Sequence, residues 1–119
     1  MSDKDTSVAE LREIMHQFVQ ERDWNQFHSP KNLSMAIAIE AAELMEHFQW
    51  QDVDAARDIR ESPEDMRQVR EELADIVAYV VSFANALDID ISTALREKMI
   101  KNAQKYPAAE FRGRFRRSM

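Results

Sequence analysis

The chain contains a single glycine and three prolines in 119 residues. Folds with many tight turns, such as β-sandwiches and β-barrels, are therefore disfavoured. Apolar residues instead recur at the three- and four-residue spacing that places them on one side of a helix. In residues 6–22 this stripe consists of Val8, Leu11, Ile14, Met15, Phe18 and Val19. The sequence predicts an all-α fold.

Capping residues and prolines divide the chain into helical segments. The predicted segments are 6–22, 31–48, 52–60 (a short polar helix or a structured crossover), 63–87 and 92–105. Thr6 or Ser7 is expected to cap the first helix, and Ser62 followed by Pro63 to open the long one. Asp90 or Ser92 is the expected cap of the last helix, which Pro107 stops. We expect a four- to five-helix antiparallel bundle that oligomerises through apolar helix faces.

Two pairs of acids interrupt the most apolar segments of the chain. Glu40 and Glu43 lie in MAIAIEAAELM, and Glu72 and Asp75 lie at the start of ELADIVAYVVSFANAL. A carboxylate in an apolar environment is costly unless it is paired, hydrogen-bonded or bound to a metal. The spacing of three residues puts both members of each pair on one helix face. If the two helices face each other, four carboxylates converge on one point.

An all-oxygen ligand set selects a hard divalent ion, Mg²⁺ with Mn²⁺ as the alternative. Such an ion shares its coordination with the phosphates of a substrate. The competing interpretation treats Glu40, Glu43 and Glu72 as solvated surface acids. It explains Asp75 poorly, because apolar residues surround that position on the helix.

Composition narrows the classes of protein further. Without cysteine there is neither a disulfide framework nor a thiolate metal site. We expect a cytoplasmic protein with no membrane partner, because neither a signal peptide nor an apolar run of roughly 18 residues is evident. A net charge of −6 makes nucleic-acid binding unlikely. The expected organisation is one domain, 1–119, with a basic and flexible tail from about residue 108 that carries Arg112, Arg114, Arg116 and Arg117.

Four motifs together resemble a known family. They are EAAE at 40–43, FQW at 48–50, EELAD at 71–75 and KMIKNAQKYP at 98–107. The chain resembles the all-α nucleoside triphosphate pyrophosphohydrolases, in particular the MazG-like branch and its dCTP pyrophosphatase type. Two features depart from the pattern: Ile39 stands where many relatives carry an extra acid, and the linker 51–63 is acidic and helix-prone. Both bear on substrate preference and on the number of metal ions.

The resemblance implies roles for twelve residues of this chain. The metal-binding carboxylates are Glu40, Glu43, Glu72 and Asp75. The triphosphate-side positions are Lys98, Asn102, Lys105 and Tyr106. The nucleobase-pocket positions are Trp24, Phe27, His28 and Trp50. Glu40 is the carboxylate that we expect to act as the general base.

The expected function is Mg²⁺-dependent hydrolysis of a nucleoside triphosphate to the monophosphate and pyrophosphate. The resemblance favours deoxynucleotides, dCTP first, and a role in cleaning the nucleotide pool, in a homodimer or homotetramer. The main alternative is a non-catalytic helical oligomerisation or regulatory module. A ferritin-like di-iron protein would need Glu-x-x-His pairs, and a histidine–aspartate phosphohydrolase would need more histidines than His16, His28 and His47.

Overall fold

The structure is a computed structural model that describes residues 1–115, and all regular secondary structure within that range is helical. The chain divides into two compact units, Met1–Asp88 and a second unit from Ile89 onward. The first unit contains α1 (Val8–Glu21), α2 (Pro30–Glu46), α3 (Val53–Arg57), a 3₁₀ helix (Asp58–Glu61) and α4 (Pro63–Leu87). The second unit contains α5 (Ile91–Lys105) and α6 (Ala108–Phe111). The all-α prediction is confirmed.

Side-chain caps fix where most of the helices begin. Ser7 and Glu10 form a complete capping box at the start of α1, as Ser7 accepts a hydrogen bond from the Glu10 backbone N–H at 3.1 Å. Asp90 caps α5 by accepting from the Thr93 N–H at 3.0 Å. Ser62 occupies the cap position of α4 but makes no capping hydrogen bond with its side chain. The predicted start of α4 at Ser62 and Pro63 is confirmed, although Ser62 contributes no side-chain hydrogen bond to the cap.

The bounds of α2 differ from those predicted. The helix begins at Pro30, one residue before the predicted start at about Lys31, and it ends at Glu46 instead of Phe48. Ser29 is the cap, and its hydroxyl accepts a hydrogen bond from the Asn32 N–H at 3.1 Å. Proline is well suited to a first helical position because its missing N–H would have had no helical partner there.

The centre of the first unit is α4, which packs against both α1 and α2. The buried apolar residues of this unit are few, and they are Val19, Leu33, Val81 and Ala84. A polar link also joins α1 to α4. The Arg12 Nε donates to Asn85 Oδ1 at 2.9 Å, and Asn85 Nδ2 donates back to the Arg12 carbonyl at 3.1 Å. These contacts hold the three helices that carry the candidate site.

The segment between α1 and α2 starts with a residue in the left-handed conformation. Asp23 has a φ of 53°. Its N–H donates to the Gln20 carbonyl at 3.1 Å, and the Trp24 N–H donates to the Val19 carbonyl at 3.0 Å. This pairing ends the helix in the manner of a Schellman motif. The chain thereby turns back and places Trp24 against the end of α1.

Some predicted features concern the end of the chain. The short helix α6 lies where the sequence predicted the start of a flexible tail, so this helix was not predicted. Arg112 and Arg114 are exposed, whereas Arg116 and Arg117 lie outside the described residues.

Within the described part of the chain, no individual helix has both the length and the apolar character of a membrane crossing. Only α4 and α5 counted together pass that test.

Candidate metal centre and adjoining pocket

Three of the four predicted ligands come together where α2 packs on α4. Glu40 and Glu43 are supplied by α2 and Glu72 by α4. One carboxylate oxygen from each lies within 4.8 Å of those from the other two. We call these three residues the carboxylate cluster. The arrangement follows from the i, i+3 spacing on α2 and from the contact of the two helices.

Two oxygens of the carboxylate cluster are buried and unsatisfied. Oε2 of Glu40 and Oε2 of Glu72 have no hydrogen-bond partner among the described residues. A buried acceptor without a partner costs about 1–3 kcal/mol, and more when it is charged. A proton or a cation between the carboxylates would remove this cost, so the donor set fits a divalent metal ion.

The surroundings of Glu40 show the electrostatic strain of the cluster. The pKa of Glu40 is raised to about 7, mainly by its partial burial and next by hydrogen bonding of its protonated form to Glu72 and Glu43. The negative charges of Glu43 and Asp75 contribute the rest of this rise in pKa. In the metal-free protein Glu40 therefore carries a proton more readily than a free glutamate does.

Asp75 stands beside the carboxylate cluster and is not one of its three members. It is exposed, and none of its oxygens is within the group that meets inside 4.8 Å. Its charge nevertheless reaches Glu40 and raises the pKa of that residue. The structure thus brings together three of the expected carboxylates and places the fourth one helical turn away from Glu72.

Three rings form an aromatic row that leads to α4. The ring centroids of Trp24 and His28 are 6.0 Å apart, and those of His28 and Tyr79 are 6.4 Å apart. Tyr79 follows Asp75 by one helical turn on α4. Of the predicted nucleobase-pocket residues, Trp24 and His28 are therefore brought to the same helix as Glu72.

A pocket of about 290 Å³ opens between α1, α4 and the segment after α1. His28 is one of its lining residues; the others are Met15, His16, Val19, Asn25, Ser82, Asn85 and Ala86. Ser82 is only 5% exposed and its Oγ has no hydrogen-bond partner among the described residues. Ser82 was not among the predicted site residues, although a polar residue inside VVSFANAL is the same kind of signal as Asp75.

The other predicted site residues lie elsewhere. Phe27 and Trp50 do not line this pocket, and Trp50 is 89% exposed in the turn after α2. The four triphosphate-side positions all belong to the second unit: Lys98, Asn102 and Lys105 on α5, and Tyr106 at its C-terminal cap. There the Lys105 Nζ lies 5.3 Å from the centroid of the Tyr106 ring. Their role at the phosphates stays a prediction.

Comparison with known proteins gives consistent matches. The model of the MazG-like family matches residues 35–116, which include the carboxylate cluster and all four triphosphate-side positions. Two mammalian proteins named dCTP pyrophosphatase 1 are 36% identical to the chain, over 107 residues for Rattus norvegicus and 102 residues for Homo sapiens. These alignments cover 90% and 86% of this chain, but only 63% and 60% of the mammalian proteins.

A solved structure matches over nearly its whole length. The crystal structure of a pyrophosphatase from Archaeoglobus fulgidus is 35% identical to the chain and superposes with a TM-score of 0.78. The match covers 90% of this chain and 98% of the archaeal one. Family model, sequence relatives and solved structure agree. The chain belongs to the MazG-like family.

Proposed function

We propose that the protein is a divalent-metal-dependent nucleoside triphosphate pyrophosphohydrolase. It converts a (d)NTP and water to the (d)NMP and pyrophosphate, favours deoxynucleotides such as dCTP and serves to clean the nucleotide pool. Support comes from relatives that are named dCTP pyrophosphatase 1 and from the archaeal pyrophosphatase. Since the chain spans less than two thirds of the mammalian relatives, their activity is carried over here only as part of this proposal.

The observation that carries the proposal is the pair of unsatisfied buried oxygens in the carboxylate cluster. Glu40 and Glu72 each have one such oxygen, and each also contributes a carboxylate oxygen to the group that lies within 4.8 Å. An apolar core alone does not require three carboxylates to meet. A polyphosphate would be repelled by them unless a cation lies between. Mg²⁺ suits the site because it prefers oxygen ligands and keeps positions for water and substrate phosphates.

In this proposal different residues bind the metal ion, accept the proton and bind the phosphates. Glu40, Glu43 and Glu72, with Asp75 beside them, would hold the cation, which when bound supplies the positive charge that the phosphates need. Glu40 would accept the proton of the attacking water at a carboxylate oxygen that is not committed to the cation. Lys98 and Lys105 neutralise the remaining phosphate charge, with Asn102 and Tyr106 as further contacts.

The exposed apolar surface supports a homodimer or homotetramer. Leu73 and Val77 on α4 are 53% and 44% exposed, and Ile14 on α1 is 45% exposed. They line an apolar groove of about 410 Å³ between these two helices, which Leu11, Met15 and Val81 also line. The buried core is small, and these exposed side chains leave a contiguous apolar surface in water, which is typical of an interaction site. We propose that a second copy of the chain covers this groove.

A screen of the common ribo- and deoxyribonucleoside triphosphates, with Mg²⁺ and with chelator, tests the activity. We expect pyrophosphate release that needs Mg²⁺ and is fastest with a deoxynucleotide. Glu72→Gln should lower kcat by about a hundredfold or more, because it removes a charged ligand. The matched control is Glu71→Gln, since Glu71 is the preceding residue and pairs with Arg67 at 2.9 Å on the surface.

The alternative, a non-catalytic helical module, makes the opposite prediction. Such a module would keep its helix content and its oligomeric state, but no nucleotide would release pyrophosphate under any metal condition. Equal activity of the Glu72→Gln and Glu71→Gln variants would equally remove the catalytic assignment of the carboxylate cluster.

A further inference from the structure

The pocket between α1 and α4 contains a second set of buried polar atoms without partners. Ser82 is 5% exposed, and its Oγ makes no hydrogen bond to any described residue. The Nδ1 of His28 is buried and unpaired in the same way. Both residues line the one pocket, although they come from different elements. Native proteins rarely leave such atoms unsatisfied, so two of them at one pocket indicate a polar ligand.

We propose that Ser82 is a specificity-determining residue, which hydrogen-bonds together with His28 to the polar edge of a single-ring nucleobase. The identity of the ligand as a nucleotide rests on the proposed function. A serine hydroxyl both donates and accepts, and a neutral imidazole nitrogen does one or the other. The pair therefore complements an edge with a donor next to an acceptor, as a pyrimidine presents.

The register of α4 connects this pocket to the carboxylate cluster. Glu72, Asp75, Tyr79 and Ser82 follow one another at spacings of three and four residues, which places them along one face of the helix. Ser82 is about 10 Å further along the helix axis than Asp75. A nucleotide whose phosphates lie at the carboxylate cluster would extend its sugar and base in this direction. Tyr79 bridges the two ends through its ring contact with His28.

The dimensions and the rigidity of the pocket favour a single ring. Its volume of about 290 Å³ lies at the lower end for ligand sites, which typically measure about 300–1,000 Å³. Asn85 lines the pocket but is held by Arg12 through hydrogen bonds of 2.9 and 3.1 Å. The pocket wall is thus held at Asn85, and Ser82 and His28 supply the unpaired polar atoms that are buried.

Calorimetric titration of the full chain with dCMP, dTMP, dAMP and dGMP tests the proposal separately from catalysis. We expect the wild type to bind a pyrimidine monophosphate more tightly than either purine. Ser82→Ala should weaken that binding about tenfold, because one hydrogen bond to the base is lost. The purine affinities should stay unchanged. The variant should fold, since the hydroxyl it removes has no partner in the protein.

Ser34→Ala is the matched control, because Ser34 is exposed on α2 and its Oγ donates to the Lys31 carbonyl at 2.7 Å. It should leave all four affinities unchanged. Equal weakening of all four nucleotides by Ser82→Ala, an unchanged pyrimidine affinity or a wild type that prefers purines would overturn the proposal. Pyrimidine binding that depends on Ser82, in a protein that releases no pyrophosphate from any triphosphate, would refute the proposed function and leave the assignment of Ser82 standing.

Discussion

At the scale of single residues, Glu40 is the group that connects the structure of the site to its chemistry. It shares its position at the α2–α4 contact with Glu43 and Glu72, and its Oε2 has no partner among the described residues. Burial and its neighbours raise its pKa to about 7. The same features that make Glu40 costly in the metal-free protein make it suitable to hold a cation or to accept a proton.

The raised pKa of Glu40 predicts how the stability of the metal-free protein depends on pH. The unfolded chain loses this proton near pH 4.5 and the folded chain near pH 7. The contribution of Glu40 to the free energy of unfolding is therefore complete below about pH 4.5 and disappears as the pH rises through about 7. Urea unfolding with chelator at about pH 5 and about pH 8 should show this loss in the wild type.

The Glu40→Gln variant is the control for this pH dependence, because its side chain does not titrate. We expect its unfolding free energy to change less than that of the wild type between the two pH values. Parallel pH dependence of the two proteins would show that Glu40 is an ordinary exposed carboxylate. Added Mg²⁺ should restore the stability of the wild type at the higher pH, since the cation replaces the proton.

Some residues of the site could be predicted from the sequence, and others could not. Glu40, Glu43 and Glu72 were predicted from charge within apolar helices, and the structure brings them together. The exposed position of Asp75 outside the cluster depends on how α2 and α4 pack, which helical spacing alone does not specify. Ser82 was missed because it is uncharged, and only its burial distinguishes it from a serine on the surface.

At the scale of elements, the ends of the helices position the site. The left-handed residue Asp23 ends α1 and turns the chain towards Trp24. Asp88, at the C-terminal cap of α4, is also left-handed, with a φ of 53°. Helix starts were predictable from Ser7 and Asp90, because their caps are local. The short helix α6 was not, since Pro107 stops α5 and also stands at the start of a further helix.

Asp88 offers a test of the strain at the end of α4. Its negative charge lies at the negative end of the helix dipole, and its backbone has the left-handed conformation that suits glycine. Asp88→Gly should raise the free energy of unfolding by about 0.5–1 kcal/mol. Asp65→Gly, the same substitution in the first turn of α4, should lower it by about 1 kcal/mol. Thermal or urea unfolding that changes equally in both variants would refute this explanation.

At the scale of the whole molecule, the first unit buries few apolar residues and exposes many. The all-helical architecture could be predicted from the rarity of glycine and from apolar periodicity. The surface that a second copy would cover could not be located from the sequence, because residues of the same helix line both the core and the groove. Val81 is buried and lines the groove, whereas Val77, one turn earlier on α4, is 44% exposed.

Substitution within the groove tests the proposed assembly. Val77→Arg places a charge where the second copy would bind and should reduce the mass in solution measured by light scattering. Val53→Arg is the control, because Val53 is 67% exposed on α3 and does not line the groove. A wild-type mass equal to one chain of 13.9 kDa would contradict the proposed oligomer.

The central claim is that the carboxylate cluster holds a divalent cation. Titration of the metal-free protein with Mn²⁺, followed by the paramagnetic signal of the free ion, measures this directly for the wild type, Glu72→Gln and Glu71→Gln. We predict saturable binding in the wild type and in Glu71→Gln, and an affinity weakened about tenfold to a hundredfold in Glu72→Gln. Absence of saturable binding to the wild type, or equal affinity in all three proteins, would contradict the account.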